Sequence, residues 1–151
     1  METETVYLFD LGTRYLIEGE TFALVEHTLP PRALGSPAHR HTTEDEYSYV
    51  LEGRLGAQLG DEVVEAGPGE LVRKPRGQEH AFWNAGDEPL RFLEVISPGA
   101  FAGYFRDLAP ALAAGDEAGV QEVVARYELE IDFSTIPGLA ERHGLNVEVP
   151  A

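Results

Sequence analysis

Residues 39–53 read His-Arg-His-Thr-Thr-Glu-Asp-Glu-Tyr-Ser-Tyr-Val-Leu-Glu-Gly, and residues 69–84 read Gly-Glu-Leu-Val-Arg-Lys-Pro-Arg-Gly-Gln-Glu-His-Ala-Phe-Trp-Asn. His39 and His41 are two apart. In an extended chain both rings point to one face. Glu46 opens a run rich in Tyr and Val over 46–52, in which Glu46, Ser48 and Val50 share one face. His80 opens a second short run, 80–83, and joins the others if that strand lies beside them. Neutral imidazole is a good donor to divalent first-row metals, and a carboxylate adds charge compensation. Three nitrogens and one oxygen leave positions open on a six-coordinate ion, as catalytic sites require.

Working outward, short strand patterns fall at 5–9, 13–17, 22–29, 54–59, 62–66, 70–73 and 90–96, punctuated by Gly and Pro turns. Residues 32–38, with Gly35 and Pro37, read as a loop, and 74–79, with Pro75 and Gly77, as a tight one. Many closely spaced strands without helical crossovers predict an all-β antiparallel barrel or sandwich. After residue 97 the period changes. Phe101, Tyr104, Phe105, Leu108 and Leu112 recur at helical spacing, before or across Pro110. Val120, Val123, Val124 and Tyr127 repeat that pattern behind a cap at Asp116. Thr135 is read as the cap of a third helix near 136–143, stopped by Gly144. This tail is expected to pack its apolar stripe on the barrel or on a partner subunit. One domain over 1–151 is expected, with the barrel at 5–97 and the helical tail at 101–145.

The 151 residues carry 11 Lys and Arg against 27 Asp and Glu, a net charge of -16. That balance opposes nucleic acid and anionic membranes, where attraction to phosphate carries much of the affinity. No run approaches the length of apolar residues that spans a bilayer. The start, Met1-Glu2-Thr3-Glu4-Thr5, lacks the basic and apolar regions of a secretory signal. The chain has no cysteine, so any metal must be held by nitrogen and oxygen. Together these features predict a cytoplasmic protein.

The spacing of the two quoted segments resembles the cupin superfamily. His39, His41, Glu46 and Gly53 fit its first motif, although Ala33 stands at the leading glycine and Gly35 falls two residues late. Gly69, Pro75, Gly77, His80 and Asn84 fit all of the second. The resemblance implies a double-stranded β-helix, or jelly roll, with a short C-terminal helical extension. It further implies one metal (iron, manganese, nickel, copper, cobalt or zinc) on His39, His41, Glu46 and His80 in the barrel mouth, and a homodimer. Its members include dioxygenases related to quercetin 2,3-dioxygenase, other dioxygenases, oxalate-processing enzymes and isomerases.

The expected function is a metal-dependent, dioxygenase-like oxidoreductase acting on a small hydroxylated or aromatic compound. Small-molecule binding or sensing without turnover, and isomerase or lyase chemistry, are the alternatives. Glu46 is also the candidate catalytic base toward a substrate hydroxyl, if it swings off the metal. Glu44 and Asp45 are expected to face solvent. His27 is read as a structural or surface histidine. Phe82 is expected on the pocket wall and Trp83 outside it. Arg73, Lys74 and Arg76 are read as a solvated loop cluster, with an attractor for an anionic substrate as the alternative.

Overall fold

A computed structural model describes residues 4–147; the acidic start at 1–3 lies outside them. Ten strands come first: β1 (Thr5–Leu8), β2 (Leu11–Glu18), β3 (Ala23–Leu29), β4 (Ala33–His41), β5 (Asp45–Glu52), β6 (Leu55–Leu59), β7 (Glu62–Ala66), β8 (Leu71–Lys74), β9 (His80–Asn84) and β10 (Leu90–Ser97). A 3-10 turn (Gly99–Ala102) leads into helices α1 (Gly103–Ala114) and α2 (Glu117–Arg126), and a second (Phe133–Thr135) precedes the last helix. Strand β11 (Leu129–Asp132) and helix α3 (Ile136–His143) follow. All pairings are antiparallel. One sheet has the order β1-β2-β3-β10-β5-β8, and the other β11-β4-β9-β6-β7.

The core lies between the sheets and follows the period of two. Ala23, Val25 and Leu29 of β3, Val50 of β5, and Leu90, Phe92 and Ile96 of β10 are buried while their neighbours face outward. The motif residues serve the turns. Gly53 has φ +80, and a Cβ there would stand 2.5 Å from the Pro89 carbonyl oxygen, so only glycine fits without strain. Gly77, also at φ +80, donates its N–H to the His41 carbonyl at 2.8 Å and ties the β8–β9 turn to the end of β4. Asn84 donates to the carbonyls of Leu29, Pro30 and Glu88, which holds two turns together.

Three expectations need correction. Residues 32–38 are mostly strand: β4 runs from Ala33 through His41, and register shifts around Ser36 absorb Gly35 and Pro37. Residues 129–132 form a strand that pairs with Ala38–His41, a long-range partner invisible locally. Thr135 does not cap α3 through its side chain; its hydroxyl accepts from the Ala38 N–H and donates to the Asp132 carbonyl. Asp116 does cap α2, accepting from the Gly119 N–H at 3.0 Å. Helix α1 runs through Pro110.

The helical segment packs on its own barrel. Phe101, Tyr104, Phe105 and Leu108 are buried in the main core. Leu139 of α3 covers Ala81 and Trp83 on the outer face of β9, where His143 stacks on Trp83 at 3.8 Å between ring centroids.

Candidate metal centre

The pairing of β4 with β9 places His39 directly opposite His80. His41 follows two residues along β4, and Glu46 is the first inward residue of β5. Ligand atoms of His39, His41, Glu46 and His80 all lie within 4.8 Å of one another. Their exposures are 7%, 3%, 4% and 2%. The sequence therefore identified four side chains that the fold brings together, from two sheets.

Hydrogen bonds settle how the rings are aimed. His39 Nδ1 lies 2.9 Å from the Pro37 carbonyl, and His80 Nδ1 lies 3.4 Å from that of Gln78. A carbonyl only accepts, so these nitrogens carry the proton and leave the Nε2 lone pairs free. His80 Nε2 is buried without a hydrogen-bond partner. His41 Nδ1 is 3.3 Å from Glu44 Oε2, an ionic contact whose alignment falls short of a hydrogen bond. On its other side, His41 Nε2 is 2.9 Å from Glu46 Oε1, which is also 3.4 Å from His80 Nε2. Outer groups that orient imidazoles through the second nitrogen are the usual support of a metal site. These donors fit a divalent ion: the unpaired nitrogen, the shared carboxylate oxygen and the carbonyl-held rings all direct lone pairs inward.

Charges in the cluster are strongly coupled. Burial lowers His39 well below its ordinary value, helped by the neighbouring His80 and His41, and burial likewise lowers His80. Burial opposes charge on His41 too, but Glu46 and Glu44 overcome it and raise His41 to about 9. Burial would raise Glu46; the charges of His41 and Lys74 instead hold it well below the carboxylate range. Without a metal, the cluster thus pairs a His41 imidazolium with a Glu46 carboxylate.

The cluster lines a cavity of about 70 Å³. Its walls are apolar and largely aromatic, including Phe82, Phe101, Phe105, Leu108 and Leu129, and Phe9 lies on its margin at 71% exposure. Phe82 is on the wall and Trp83 outside the barrel, as alternation predicts.

Other expectations fail. Glu44 is buried against His41 and accepts from Thr43 Oγ1 at 2.5 Å, whereas Asp45 stays partly exposed, as expected, and pairs with Arg76 at the surface. Lys74 is no solvated loop residue. It is 2% exposed, lines the cavity and contacts both oxygens of Glu94 at 3.0 Å. Glu94, 1% exposed, also accepts from Ser48 Oγ at 2.9 Å; burial raises it to about 7 against the pull of Lys74. His27 is structural, one of the two expected placements, but it is buried and also lines the cavity. Its Nδ1 lies 3.0 Å from Thr13 Oγ1, and burial with the Lys74 charge lowers it to about 4. Period-two alternation held the missed signal: Lys74 follows Val72 inward, and Glu94 sits between Phe92 and Ile96.

Residues 25–96 match the family described as Cupin domain. The barrel is similar to a double-stranded β-helix protein from Klebsiella pneumoniae, with a TM-score of 0.56 and 22% identity over 62% of this chain and 82% of the other. At that identity the likeness concerns the fold. Tetracenomycin polyketide synthase protein TcmJ of Streptomyces glaucescens is 37% identical over 60 residues, 40% of each chain. Polyketide synthase CurC of Streptomyces cyaneus is 33% identical over 95 residues, 60% of this chain and 62% of the relative. Oxidoreductase iacF of Pestalotiopsis fici is 34% identical over 96 residues, 58% of this chain and 47% of the relative. The matches thus span under two thirds of these relatives. No helix among the described residues is long and apolar enough to cross a membrane.

Proposed function

We propose that this cupin is a metal-dependent oxidoreductase of the dioxygenase type, acting on a small hydroxylated aromatic compound. The observation that carries the reading is the convergence of four buried donors on one side of an aromatic-walled cavity. His39, His41, His80 and Glu46 would hold one divalent ion. A redox-active ion held there would supply the charge that favours an ionised substrate hydroxyl and the electron chemistry that dioxygen needs. Phe82, Phe101 and Phe105 receive the ring and exclude water. Glu46, when it leaves the metal, accepts the proton of the substrate hydroxyl.

The test is oxygen uptake by protein loaded with iron, manganese, nickel, copper or cobalt, offered catechols and flavonols, with product mass measured in parallel. Uptake with both oxygen atoms in the product is expected. No uptake and unchanged substrate with every metal would overturn the dioxygenase, and binding under those conditions would favour a binding module. Glu46→Gln with full metal content and unchanged turnover would remove the base role.

The likeness to two polyketide synthase proteins favours a second reading, non-oxidative rearrangement or ring closure of a polyketide-type substrate. Conversion under argon with zinc-loaded protein distinguishes it. Exposed Leu16, Ile17, Tyr49 and Leu71 on strands of the six-stranded sheet support a homodimer, which light scattering tests.

A further inference from the structure

Lys74 and Glu94 face each other inside the barrel, buried, on the wall of the cavity that the metal cluster also lines. A buried ion pair is a poor stabilising device, since apolar residues of similar size often serve as well. Its arrangement is also incomplete. Glu94 Oε2 accepts from both Ser48 Oγ and Lys74 Nζ. Glu94 Oε1 touches Lys74 Nζ but has no hydrogen-bond partner, although it is fully buried. Lys74 Nζ is held over the Phe82 ring, 5.0 Å from its centroid, which fixes the ammonium against the aromatic wall.

The register sets Glu94 one inward step along the barrel from the metal cluster, on the neighbouring strand. Lys74 lies opposite Glu46, and Glu94 lies opposite Ser48. Glu46 and Ser48 are successive inward residues of β5, roughly 7 Å apart along the strand. That step is about the span of one benzene ring with substituents at both ends.

We propose that the Lys74–Glu94 pair is a second recognition point for the aromatic substrate, at which Glu94 Oε1 accepts a hydrogen bond from a ring hydroxyl remote from the metal-bound oxygens. The inference rests on the aromatic-substrate reading above and sharpens it. The preferred compound carries an ortho pair of oxygens for the metal and a third hydroxyl across the ring. Lys74 keeps Glu94 positioned and works against the burial that disfavours its ionised form, and Ser48 donates to its other oxygen and fixes the carboxylate plane.

Three catechols separate this idea from its rivals. Zinc-loaded protein under argon, where no turnover occurs, is titrated calorimetrically with 1,2,4-trihydroxybenzene, 4-methylcatechol and 4-methoxycatechol. The first donates a hydrogen bond at the remote position, the second does neither, and the third only accepts. A hydrogen bond to a charged acceptor predicts about tenfold tighter binding of the trihydroxy compound than of the other two. The double variant Lys74→Met/Glu94→Leu should keep its zinc and its Tm but lose that preference. Equal Kd values for all three ligands in the wild type would overturn the proposal without any variant, as would a preference that survives in the folded double variant. Failure of the wild type to bind any catechol is a different result; it would overturn the aromatic-substrate reading, and this proposal with it.

Discussion

Metal uptake by this protein should be strongly pH-dependent between pH 7 and 9, and the reason is His41. Burial opposes its charge, yet Glu46 at 2.9 Å and Glu44 at 3.3 Å raise it to about 9 in the metal-free protein. A metal must displace that proton, because an imidazolium nitrogen has no lone pair to give. At pH 7 a group titrating near 9 is about 99% protonated, so the proton weakens metal binding about a hundredfold; at an ordinary value of 6.5 the penalty would be less than about twofold. The apparent association constant should therefore rise about tenfold per pH unit from 7 to 9 and then level off. Competition against a chelator of known proton affinity measures this. Calorimetry in buffers of different ionisation enthalpy should show about one proton released per metal at pH 7.5. Glu44→Gln removes one of the two carboxylates, so the bend in the curve should move to lower pH. The sign for folding follows from the same proton: in metal-free protein the stability from the raised His41 is complete below pH 6.5 and is lost as pH rises through about 9. A flat affinity between pH 7 and 9 with no proton release would refute the reasoning.

Three further outcomes are expected. His27 is lowered to about 4, so the unfolded chain takes up its proton first and stability falls from pH 6.5 to about 4, by roughly 1.4 kcal/mol per pH unit; urea titrations of His27→Gln should show a slope smaller by about one proton, and an identical slope would contradict this. Gly35→Ala would place a Cβ 2.1 Å from Phe82 Cε2, costing about 1–3 kcal/mol in denaturant and turning Phe82 away from the cavity wall; a variant as stable as the parent would show that the ring yields freely. Asp116→Ala removes the side-chain acceptor for the Gly119 N–H at the start of α2, and thermal unfolding should register a loss of about 1 kcal/mol.

Much of the candidate metal centre was legible because its determinants are local. His39 and His41 share a face by strand period alone, and Glu46 opens the next strand on its inward side. The turns that return the chain are written in Gly53, Gly69, Pro75 and Gly77, whose backbone requirements few other residues meet. The sequence therefore pointed to the four clustered side chains and to the barrel before their distances were known. The helices were equally readable at Asp116 and Gly144, where the capping residues stand at the ends themselves.

What escaped depends on which distant elements meet. Lys74 looks like one of three basic loop residues until β8 pairs with β5 and β5 with β10, which puts it on Glu94. Glu44 reads as solvated until His41 turns its second nitrogen toward it. Leu129, Ile131 and Phe133 alternate with Glu130 and Asp132, a strand signal that the helical reading of the tail passed over; only its partner, β4, nearly ninety residues earlier, is hidden from the sequence. The aromatic wall likewise required Phe101 and Phe105 to fold back over the barrel rather than onto a neighbour. Spacing along the chain specifies the direction of a side chain within its own element; burial, charge pairing and cavity shape are properties of two surfaces together, and become defined only when the sheets and helices close on one another.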